Sequence, residues 1–128
     1  MDQSVYKKMR LKVHTVGKYI NAPKDYIKMA HQQTYINFED EDPMFFHVFV
    51  YSVQDYIEQM EKIIKLLKPE TKLWISYQKK KKYEDQDMNR DKTFEFKDRL
   101  NLIPYANVSL DDTWSCIGLK LINEGEGT

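Results

Sequence analysis

The stretch "FFHVFVYSVQDYIEQMEKIIKLLKPETKLWISY", Phe45 to Tyr77, contains two different hydrophobic patterns back to back. In its middle, Val53, Tyr56, Ile57, Met60, Ile63, Ile64 and Leu67 recur at helical spacing, with Gln54, Glu58, Glu61, Lys62 and Lys65 on the opposite side. Ser52 is placed to cap that helix, Asp55 sits three positions on as in a capping box, and Pro69 ends it, giving about sixteen helical residues. The flanks, "FFHVFVY" (Phe45 to Tyr51) and "KLWISY" (Lys72 to Tyr77), are rich in the aromatic and β-branched residues of strands. Their near-continuous apolarity predicts burial on both faces. Strand, helix and strand in this order form a βαβ unit, whose crossover is right-handed in nearly every case, so the two strands are expected to be parallel.

Outward from this unit the pattern continues. Upstream, "VGKYINAP" (Val16 to Pro23) and "TYINFE" (Thr34 to Glu39) read as short strands separated by a helix over Lys24 to Gln32. Downstream, the charged run "KKKKYEDQD" (Lys79 to Asp87) reads as a loop. Asn89 is then expected to cap a helix over Arg90 to Asn101, with Phe94, Phe96, Leu100 and Leu102 as its buried positions. Two strands follow, "IPYANVSL" with Val108 and Leu110 on one face, and "TWSCIGLKLI" with Ile117, Leu119 and Leu121 on one face. The chain is expected to be a single small α/β domain, with an ordered core from about Val13 to Ile122 and a frayed tail after it.

Composition narrows the function. Lys and Arg number 20 and so do Asp and Glu, so no global positive field draws the chain to nucleic acid or acidic lipid. The longest uncharged apolar run, Met44 to Val53, is too short to span a bilayer. The start "MDQSVYKKMRLK" lacks an apolar signal core, and a lone Cys116 implies neither disulfide nor zinc cluster. A cytoplasmic protein without nucleic-acid or membrane partners is therefore expected.

Candidate site residues come from the strand ends. In open α/β sheets ligands bind outside the carboxyl ends of the strands. That edge should carry Asn21-Ala22-Pro23, Asp40-Glu41-Asp42, Tyr51-Ser52 and Tyr77 to Lys82, and the end of the strand Pro104 to Leu110 joins it if that strand runs parallel to them. If the chain has a ligand pocket, it is expected there, with Lys79, Asn89, Asp112 and Trp114 around it and Asn21 and Tyr77 flanking it. The competing reading of Asp111-Asp112 is a polar hairpin turn, in which an aspartate bonds nearby backbone amides or hydroxyls. Trp114 reads as a cover for the sheet edge and Cys116 as a buried, inert thiol. His14, His31 and His47 show no metal-ligand spacing, and neither a nucleophile elbow nor a phosphate loop is present, so no cofactor and no catalytic constellation is expected.

Five blocks in order, "INAPKDY" (Ile20 to Tyr26), "FVYS" before a helix, "LWISYQKK" (Leu73 to Lys80), "DMNRD" (Asp87 to Asp91) and "DDTWSCIGLKLI" (Asp111 to Ile122), give the chain a family likeness. It resembles the small bacterial proteins of domain-of-unknown-function family 3052, over roughly residues 8 to 122. The resemblance implies a Rossmann-like three-layer α/β sandwich, mostly parallel with a C-terminal antiparallel strand, and it supplies no reaction. The Phe45 to Tyr77 stretch is also similar to the later half of many S-adenosylmethionine-dependent methyltransferases, where a strand, a long helix, "LKP" and a strand precede a terminal hairpin. The glycine-rich turn that such a cofactor needs after the first strand is absent, since no glycine lies between Lys18 and Gly118. The leading expectation is a binding protein for a small anionic ligand or a protein partner, monomeric or homodimeric. The alternative is a degenerate or partner-dependent methyltransferase-like group transferase.

Overall fold

A computed structural model of the chain describes residues 1–79, Met88 and residues 101–121. The elements are α1 (Ser4–Lys8), β1 (Thr15–Ile20), α2 (Lys24–Gln32), β2 (Ile36–Phe38), β3 (Phe45–Val50), α3 (Val53–Ile63), β4 (Lys72–Gln78), β5 (Leu102–Ser109) and β6 (Trp114–Leu121). The predicted helix lies outside the described residues up to residue 100, as does the tail after residue 121; Asn101, its expected last residue, is instead in a left-handed turn (φ 55°), and Leu102 opens β5. The strands form one sheet in the order β2-β1-β3-β4-β6-β5. β1 is parallel to β2 and β3, β3 is parallel to β4, and β6 is antiparallel to both β4 and β5. The architecture is thus a Rossmann-like α/β sandwich, mostly parallel with antiparallel pairing at its C-terminal end.

The βαβ unit forms as its sequence predicts. Ser52 Oγ accepts the Asp55 backbone N–H at 3.0 Å, which satisfies one of the orphan donors of the first turn of α3. All six residues of β3 are buried, because alternate side chains enter opposite layers. Phe45 and Phe49 pack with Tyr6, Tyr26, Trp74 and Trp114 beneath α1 and α2. Phe46, Val48 and Val50 pack with Tyr56, Met60, Ile63, Leu73 and Ile75 beneath α3, in a cluster that Met88 joins.

Several boundaries move. α3 ends at Ile63 and tightens into a 3₁₀ turn over Ile64–Leu66 before Pro69, so the regular helix is shorter than its apolar stripe. β1 stops at Ile20 because Asn21 adopts a left-handed conformation (φ 61°), which turns the chain into Pro23 and α2. β2 is three residues long, its register with β1 ending at Gly17 opposite Phe38. The reading that starts the ordered core at Val13 omits α1, which brings Val5 and Tyr6, with Met9 and Leu11 after them, into the core.

Glycine at position 17 is dictated by the close approach of β1 to its neighbours. A Cβ there would lie 2.7 Å from Phe45 Cδ2 and 3.1 Å from Ile36 Cγ2. Among the described residues, no helix is long and apolar enough to cross a membrane.

Candidate functional site

β1 leads through α2 to β2 on one side, while β3 leads through α3 to β4 on the other, with the two helices in opposite layers. The connections therefore diverge between the carboxyl ends of β1 and β3, where doubly wound sheets open a ligand crevice. In this chain that crevice is bridged by its own side chains. Asn21 Nδ2 donates to the Phe49 carbonyl and to Asp55 Oδ2, both at 3.0 Å, and Asp55 Oδ2 also accepts the Tyr51 backbone N–H at 3.0 Å. The left-handed turn aims the Asn21 amide across the gap, where a glycine would leave backbone exposed to a ligand.

Further along the same edge the geometry is different. β5 is antiparallel to β6 and β6 is antiparallel to β4, so β5 runs in the same direction as β4 and ends on the same edge. Lys79, just past β4, donates its backbone N–H to the Thr113 carbonyl at 2.8 Å and its Nζ to Ser109 Oγ at 2.6 Å. Lys8, at the end of α1, brings a second Nζ to within 3.4 Å of the Ser109 carbonyl oxygen. Two ammonium groups from distant parts of the chain thus converge on one residue. Among the described residues, neither lysine has a carboxylate within ion-pair distance, since the ion pairs found there are Lys18–Asp40 and Lys68–Asp42.

The other residues expected around a pocket are distributed as follows. Asp111 Oδ1 accepts the backbone N–H groups of Thr113 at 2.8 Å and Trp114 at 2.7 Å, so this aspartate builds the turn. Asp112, its neighbour, is exposed in the same turn. Trp114 is buried, its ring edge-on to Phe49 at 5.0 Å and to the exposed Tyr51 at 5.5 Å. Tyr77 is buried on the opposite face of the sheet, in the α3 layer, and does not meet Trp114. Asn21 lies at the bridged crevice two strands from Lys79, and Asn89 lies outside the described residues. Lys8 is absent from the sequence reading because its meeting with Ser109 is a contact 101 residues apart, which no local pattern signals.

The titratable groups of the interior form a separate, closed system. Tyr6 Oη donates to Tyr26 Oη at 3.0 Å, Tyr26 lies 2.9 Å from His47 Nδ1, and His47 Nε2 lies 2.6 Å from Ser76 Oγ. With Tyr6 donating, the Tyr26 proton goes to Nδ1, which leaves the imidazole proton on Nε2, pointing at Ser76. Burial holds His47 neutral, its pKa lowered to about 3, and raises that of Tyr6 to about 12. Burial also pushes the Cys116 thiol up, as expected for an inert core cysteine. His47 and Ser76 are fully buried, so this chain of hydrogen bonds ties α1, α2, β3 and β4 together and presents no nucleophile to a substrate. Among the described residues no group of three or more His, Cys, Asp or Glu is arranged to hold a metal ion.

Comparison with known proteins agrees on the fold. No family model matches the sequence and no curated protein does, so the likeness to domain-of-unknown-function family 3052 rests on the sequence blocks alone. Solved structures do match. A protein of the NADB-Rossmann superfamily from Streptococcus agalactiae superposes with a TM-score of 0.62 at 7% identity, over 96% of this chain and 70% of that one. A SAM-dependent methyltransferase from Aquifex aeolicus gives 0.59 at 10% identity, over 94% of this chain and 89% of that one. The M1A22 tRNA methyltransferase TrmK of B. subtilis gives 0.57 at 6% identity, over 96% of this chain and 67% of that one. At these identities the likeness establishes a Rossmann-like fold shared with methyltransferases, and no activity.

Proposed function

We propose that this chain binds a small anion at the carboxyl edge of its sheet, beside the β5–β6 turn, and that it does so without catalysing a reaction. The observation that carries this reading is the convergence of Lys79 Nζ and Lys8 Nζ on Ser109, with no carboxylate of the described residues within ion-pair distance of either. Two ammonium donors from separate elements suit a phosphate or carboxylate, whose oxygens accept from both, while the Ser109 hydroxyl accepts from Lys79 and donates to the Asp111 carbonyl at 3.4 Å. Asp112 and Trp114 border this place, while Tyr77 stays in the core. A thermal-shift screen against inorganic phosphate, sugar phosphates, nucleotides and small carboxylates tests the proposal. A ligand at a hundredfold its dissociation constant adds about 2.7 kcal/mol to stability. The gain should vanish in Lys79→Ala and shrink in Lys8→Ala. An undiminished gain in Lys79→Ala, or no gain from any anion, would overturn it.

A second reading, a degenerate or partner-dependent methyltransferase-like group transferase, draws on the fold shared with methyltransferases. Against it stands the bridge from Asn21 to Asp55, which occupies the crevice where a cofactor's backbone contacts would form. Calorimetric titration with S-adenosylmethionine separates the two readings, since the bridged crevice predicts no saturable heat.

A further inference from the structure

On the far side of the sheet from Lys79, the short β2 leaves a groove of about 300 Å³ against β1, bordered by Lys18, Tyr19, His31, Phe38, Glu39 and Asp40. This volume is at the low end for small-molecule sites. Its walls are aromatic, the Tyr19 and Phe38 rings meeting edge to face with centroids 5.3 Å apart. Its rim is acidic. Lys18 Nζ lies 3.6 Å from Asp40 Oδ1 and offsets that charge, which leaves Glu39 with no ion-pair partner among the described residues. Also lining the groove, Tyr19 Oη and His31 Nε2 are hydrogen-bonded at 2.8 Å, a polar pair that can also meet a hydroxyl or an N–H.

We infer that this groove binds a small organic cation, an amine or quaternary ammonium of about the size of choline. Aromatic faces attract a cation through their quadrupole, and a carboxylate without a protein counter-ion supplies the remaining charge. An anion is disfavoured here, because Glu39 and Asp40 together outweigh Lys18. The inference does not depend on the anion site, which draws on β4, β5 and α1, whereas the groove lies on β1 and β2 with β3 between β1 and β4.

The experiment is a chemical-shift titration of the isotope-labelled full chain with choline and, in parallel, with its uncharged tert-butyl isostere. Choline should give saturable shifts centred on Tyr19, His31 and Glu39, and the isostere should bind about tenfold more weakly. Glu39 is exposed, so Glu39→Gln should leave the fold intact, weaken choline about tenfold and leave the isostere unchanged. Tyr19→Leu, which removes one aromatic wall, should weaken choline as well. Equal affinity for choline and its isostere, unchanged choline affinity in Glu39→Gln, or the absence of saturable shifts at these residues would each overturn the inference.

Discussion

Lowering the pH should destabilise this protein through His47, by an amount set by where the imidazole titrates in each state. Unfolded, the ring has an ordinary pKa of 6.5; folded, burial lowers it to about 3. Above 6.5 both states are neutral at this position and it contributes no pH dependence. Below 6.5 the unfolded chain takes up a proton that the folded chain refuses, so stability falls as the pH drops and continues to fall until about 3. The loss from this group alone is about 2 kcal/mol at pH 5 and about 3 kcal/mol at pH 4. A fair comparison requires a variant that keeps the hydrogen bonds and cannot titrate. His47→Gln offers an amide N–H toward Ser76 and a carbonyl toward Tyr26, at some cost in packing. Urea unfolding of both proteins at steps from pH 7 to 4 gives the answer, because carboxylate contributions cancel in the difference. The wild type should lose about 3 kcal/mol more than His47→Gln over this range. A difference that stays constant with pH would refute the buried, neutral assignment.

Other consequences follow from single contacts. Gly17→Ala places a methyl group 2.7 Å from the Phe45 ring, and should lower stability by about 1–3 kcal/mol in the same urea assay. Asn21→Ala removes both amide hydrogen bonds and leaves alanine in a left-handed conformation, at a cost of about 1–3 kcal/mol; Asn21→Gly should recover part of this because the conformation is then unstrained. Asp111→Ala removes the acceptor of two turn amides and should cost about 1 kcal/mol or more, whereas Asp112→Ala, at an exposed position, should change stability by less than about 0.5 kcal/mol.

The central βαβ unit is legible in sequence because its signals are local and agree with one another: a cap at Ser52, an apolar stripe of helical period, a proline stop and β-rich flanks. β2 is harder to bound because a three-residue edge strand offers hardly one full alternation, and its extent is set by how far β1 supports it. α1 is only five residues long; Asp2 Oδ1 accepts the Ser4 backbone N–H at 2.8 Å at its start, but so short a helix has no periodic signal, and its helical form depends on Val5 and Tyr6 docking in the core. His47 sits in an apolar run that betrays nothing of its partners, because Tyr26 and Ser76 reach it from different elements.

The candidate site divides in the same way. Lys79 is found by rule, as a residue just beyond a parallel strand. The buried position of Tyr77 follows from the two-residue period of β4, which sends it into the α3 layer with Leu73 and Ile75. Lys8, Tyr19 and His31 become candidates only in three dimensions. Asn21 is recognised in the sequence as an edge residue, but its role as a bridge depends on the left-handed turn and on the placement of α3.

The most direct test of the account is a pair of calorimetric titrations on the full chain, one with inorganic phosphate and one with S-adenosylmethionine, each repeated on Lys79→Ala. The account predicts saturable phosphate binding that is lost in Lys79→Ala, and no saturable heat from S-adenosylmethionine at millimolar concentration. Saturable binding of S-adenosylmethionine that survives Lys79→Ala, with no response to phosphate in either protein, would contradict it.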